Sequence, residues 1–181
     1  FGSQKTVVVA DDGEIVRTDT GSIAVPTLVS FVEQSRYVGD EAASFPTANG
    51  RIALLNLACS DSPAQLLTPA APHEAFFEHC PAVFEVDATT GAAVYSSIPY
   101  CQSTISASAV SLLAVLIGKQ VQRVEEVYGP DKKIAFVLPH GAGPVMARNI
   151  VTACAIAGLP KERVELVGAV EALSAAYCRK I

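Results

Sequence analysis

The sequence predicts an α/β protein with a mixed sheet flanked by helices: antiparallel strands come first, then parallel strands joined through helices. Three patterns point to it. Short apolar runs broken by turn residues fill the first forty residues. Apolar residues then recur at spacings of three and four from Val110 to Val127. From Lys133 onward, strand and helix patterns alternate with short connections, which implies parallel strands and crossover helices.

The elements follow in order. Thr6 to Ala10 and Glu14 to Thr18 flank Asp11-Asp12-Gly13, a hairpin pattern whose glycine can take positive φ. Pro26 to Val32 carries apolar groups on both faces and is expected to be central in its sheet. Arg36 to Asp40 is a fourth short segment. Residues 41–103 differ in texture: six of the eleven prolines fall there, at Pro46, Pro63, Pro69, Pro72, Pro81 and Pro99, and periodicity is weak. This stretch reads as a small inserted subdomain within a main subdomain of residues 1–40 and 104–181. Inside it, Glu41 to Ser44 suggests a helical turn and Ile52 to Ala58 a short buried segment. Ala82 to Asp87 and Ala92 to Ser97 suggest a hairpin. Ser106 or Ser108 is placed to cap a helix running to Tyr128, where Gly129-Pro130 stops it. Lys133 to Leu138 is a strand, Gly143 to Ala157 a helix, Arg163 to Val167 a strand and Val170 to Arg179 a final helix.

Composition excludes several classes. The 181 residues suffice for one sizeable core. Half are hydrophobic, 17% are charged and the net charge is −5, so no basic footprint for nucleic acid is present. No apolar run reaches the ~18 residues that a membrane-spanning helix requires, and the protein is expected to be cytoplasmic. The five cysteines, an odd number without CxxC spacing, favour free thiols in a reducing compartment. Cys154 and Cys178 fall in Ala-rich helical stretches and are expected to be buried. The chain begins with Phe1 rather than Met, inside a motif, and is expected to be a piece of a longer protein.

Several motifs bear on chemistry. Gly2-Ser3-Gln4-Lys5 precedes the first strand, and a glycine turn lets backbone N–H groups approach an anion. Lys5 is placed either to contact a phosphate or to stand solvated at a strand start. Further along come Ile23-Ala24-Val25-Pro26-Thr27-Leu28-Val29-Ser30-Phe31, Arg36-Tyr37-Val38-Gly39-Asp40-Glu41-Ala42-Ala43, Ala153-Cys154-Ala155-Ile156-Ala157-Gly158-Leu159, and Val167-Gly168-Ala169 opening a small-residue helix to Tyr177. In this order they resemble the first lobe of the nucleotide-binding domain of the seventy-kilodalton heat-shock chaperones, members of the actin-like ATPase superfamily. The Gly-Ser-Gln turn is also similar to the one-hundred-and-ten-kilodalton relatives.

That resemblance implies a ribonuclease-H-like, actin-type lobe. It implies ATP or ADP with magnesium as cofactor, with Gly2, Ser3, Gln4 and Lys5 at the phosphates. It further implies a second lobe closing over the nucleotide, and unfolded polypeptides and co-chaperones as partners. It carries over no catalytic residue. The family's assisting lysine has no counterpart, because no lysine lies between Lys5 and Lys119 and ungapped counting puts Ala58 at its position. Arg51 does not match a lysine's point charge. The family's relay glutamate and proline are Ala169 and Val170 here. The reading is an ATP-binding chaperone lobe with catalytic positions eroded, at most part of a slow ATP hydrolase. The other reading is a non-catalytic actin-like module acting on partners as regulator or exchange factor.

Other clusters receive plainer readings. His73, His79 and Cys80 match no zinc spacing, and a cysteine nucleophile at Cys80 is the competing enzyme class. His140-Gly141-Ala142-Gly143 ahead of a helix is either an anion-binding start or a simple turn. Glu125-Glu126 reads as a solvated helix face.

Overall fold

The computed structural model describes residues 5–45, 51–53, 83–138 and 142–178. Among these, the chain is a mixed α/β protein with small antiparallel and parallel sheets and helices. Among the described residues, the strands fall into four separate ladders.

The first ladder pairs β1 (Lys5–Thr6) with β2 (Val25–Pro26), antiparallel. The expected hairpin around Asp11-Asp12-Gly13 is present but loose. Its only bridge is Val9 to Ile15, flanked by Ala10 N–H to Glu14 O at 2.8 Å and Val16 N–H to Val8 O at 3.0 Å. Gly13 takes φ 90°, as the turn requires. The strands expected over Thr6 to Ala10 and Glu14 to Thr18 are therefore corrected to this shorter pairing. Val7, Val9 and Ile15 stay exposed on one face, while Thr6, Val16 and Thr18 are buried on the other, so a single face holds the pairing in register.

β3 (Leu28–Val32) is the middle strand of a second ladder, between β4 (Ser35–Val38) and β5 (Arg51–Ala53). Its burial on both faces, from Leu28 to Phe31, matches the run of apolar residues without alternation. Pro26 has no N–H, and the chain breaks between β2 and β3 at Thr27. Gly39 then turns the chain into α1 (Asp40–Ala43) with φ 63°. A Cβ there would lie 2.5 Å from Val25 Cγ1, so only glycine fits between β2 and α1.

The third ladder is β6 (Val83–Val86), β7 (Ala93–Tyr100) and β8 (Ser103–Ser108), all antiparallel. The β6–β7 hairpin was legible in the sequence; β8 was not. Its Ser-Thr-Ile-Ser-Ala-Ser run reads as a prelude to the helix. Its turn, Cys101-Gln102, takes positive φ at both residues without a glycine to announce it. A bulge between Tyr95 and Ile98 adds one residue to β7. Residues three apart on a regular strand face opposite sides, so the bulge is what lets both Tyr95 and Ile98 point into the core.

α2 (Ala109–Tyr128) starts at Ser108, whose Oγ accepts the N–H of Ser111 at 3.1 Å, and ends at Gly129 with φ 86°. It buries Val110, Leu112, Leu113, Leu116 and Ile117. The expected face continues through Val121, Val124 and Val127, but burial stops at Gln120 and Val127 is 63% exposed. The helix outruns the core it packs on.

β9 (Ile134–Leu138), α3 (Pro144–Ile156), a short 3₁₀ turn (Lys161–Arg163), β10 (Val164–Gly168) and α4 (Ala169–Cys178) complete the chain. β9 and β10 are parallel in register, Ile134 to Val164 and Leu138 to Gly168, as the alternating pattern predicts. One core joins these parts: α2, Met146, Ile150, Ala153 and Cys154 of α3, Val29 and Phe31 of β3, Tyr95 and Ile98 of β7, and Phe136 of β9. Ala92, Ala93, Tyr95 and Ile98, within the stretch expected to be inserted, thus share the core with α2. Cys154 is buried as expected, whereas Cys178 is exposed because α4 buries none of its residues. Among the described residues, no helix is long and apolar enough to cross a membrane.

Candidate functional site

Parallel βα units gather ligands beyond the carboxyl ends of their strands. Here those ends are Leu138 and Gly168, register partners on β9 and β10. α4 begins directly after Gly168, and α3 begins at Pro144 after Gly143. Gly143 is extended and offers no side-chain cap, and Pro144 at the first helical position has no N–H, so an anion at this helix start would meet the N–H groups of Val145 and Met146. α4 differs. Glu171 lies in its first turn and places a carboxylate where an anion would sit. Of the two helix starts, α3 is the one suited to a phosphate.

The flank of α3 is fixed by its neighbours. Arg148 donates to Thr90 O at 2.8 Å, tying α3 to the β6–β7 turn. Asp87 Oδ1 accepts the N–H groups of Thr89 at 2.7 Å and Thr90 at 2.8 Å. These bonds, Thr90's first, hold its carboxyl below the ordinary value near 3.8.

Gly2, Ser3 and Gln4 lie outside the described residues, as do His140 and Gly141, the cluster of His73, His79 and Cys80, and Ala58. Lys5 is described: it opens β1 opposite Pro26 and is exposed. The next residue, Thr6, is buried with its Oγ1 3.5 Å from that of Thr27, which anchors the strand start. Ala169 begins α4 half-buried, and Val170 is 64% exposed. Neither carries a group able to relay charge. Glu125 is corrected from a solvated residue to a partner. Its Oε1 accepts from Arg163 Nη1 at 2.7 Å, and Arg163 Nε also donates to Lys132 O at 2.9 Å. This clasp holds the end of α2 to the strand starts. Glu126 is exposed and accepts from Gln122.

The sequence reading also missed a hydroxyl network in the loop before β2. Thr20 Oγ1 donates to Asp40 Oδ2 at 2.7 Å and accepts from Thr18 Oγ1 at 2.7 Å, while Thr18 Oγ1 accepts the N–H of Ser22. Asp19 in the same loop lies 3.6 Å from Arg123 and 4.0 Å from Lys119 of α2. The Thr-Asp-Thr-Gly-Ser run is the available signal, since such residues bond to nearby backbone in turns.

The implied nucleotide fits these residues in part. The start of α3 suits a phosphate. For magnesium, no group of three or more His, Cys, Asp or Glu able to hold a metal occurs among the described residues. No family model matches the chain, and no curated protein matches it either.

Proposed function

We propose that this chain is the first lobe of a heat-shock-type nucleotide-binding domain with a ribonuclease-H-like, actin-type fold, and that it serves an ATP-binding chaperone whose catalytic positions are eroded. The observation that carries the reading is the parallel β9–α3–β10–α4 unit following antiparallel strands. β9 and β10 are paired in register, and the helix between them, α3, starts at Gly143 without a side-chain cap. In this reading Gly2, Ser3, Gln4 and Lys5 hold phosphate oxygens together with the amides of α3, and ATP with magnesium binds only when a second lobe closes over it. Unfolded polypeptides and co-chaperones are then partners of the whole protein, in the cytoplasm.

One observation favours a second reading, a non-catalytic actin-like regulator or exchange factor. No lysine lies between Lys5 and Lys119, so the cation that would stabilise charge on a transferring phosphoryl group is missing. The two readings differ in turnover. Slow phosphate release from Mg-ATP by the full-length gene product, removed by a Gly2→Trp substitution, is expected of the first. Release no faster than in buffer is expected of the second and would contradict a slow ATP hydrolase.

A further inference from the structure

We draw no further inference here: the strongest candidate, the exposed apolar stripe of Val170, Leu173 and Tyr177 along α4, is an unpartnered helix face and nothing in the structure shows what covers it.

Discussion

Ser30 lies in the middle strand of its ladder, fully buried, and its Oγ has no hydrogen-bond partner among the described residues. A buried hydroxyl without a partner carries its desolvation cost uncompensated. Ser30→Ala is therefore expected to stabilise the protein by about 1 kcal/mol, raising Tm by roughly 2–4 °C for a chain of this size. A lower Tm in a thermal melt would show that the hydroxyl is bonded. Cys154 makes the opposite kind of statement. It is 1% exposed, and burial pushes its thiol from the ordinary value near 9.0 up to about 11. The native state holds that proton after the unfolded chain has released it. Stability from this group is thus intact below pH 9 and falls as pH rises toward 11, by about 2–3 kcal/mol in all. Alkylation of native protein at pH 7.5, read peptide by peptide, should modify the exposed Cys101 and Cys178 and spare Cys154. Rapid labelling of Cys154 would contradict its burial.

At the scale of elements, α2 separates periodicity from burial. Its apolar spacing continues to Val127, yet only the residues up to Gln120 are buried. Leu116, with no exposed surface, should lose about 2–5 kcal/mol on truncation to alanine. Val127→Ala should change stability by no more than about 0.5 kcal/mol. Denaturant melts of the two variants decide it, and equal losses would mean that the far end of α2 is packed. A periodic pattern reports which face a helix would bury, not where the core ends. The same limit explains β8. Small hydroxyl residues give no alternation to read, and the β7–β8 turn uses Cys101 and Gln102 at positive φ where the usual signal is glycine. By contrast, β3, α2, α3 and the parallel β9–β10 pair were legible because each is apolar on the faces that the core covers.

At the scale of the molecule, the mixed α/β class and the antiparallel-then-parallel order followed from the pattern of turns and runs. The division of the described strands into four ladders did not. Pairing between distant strands depends on long-range contacts that local patterns leave undetermined. The candidate site was legible only in its motifs. The glycine turn and the Gly143 helix start are local signals, whereas the Thr20–Asp40 bond and the Glu125–Arg163 clasp join residues 20 and 38 positions apart. The central claim, that the fold retains an actin-type nucleotide cleft after losing its catalytic groups, is tested most directly by calorimetric titration of Mg-ATP into the full-length gene product, beside a Gly2→Trp variant shown to be folded. The account predicts binding by the wild type that the variant abolishes. No binding by well-folded wild-type protein, or binding that Gly2→Trp leaves unchanged, would contradict it.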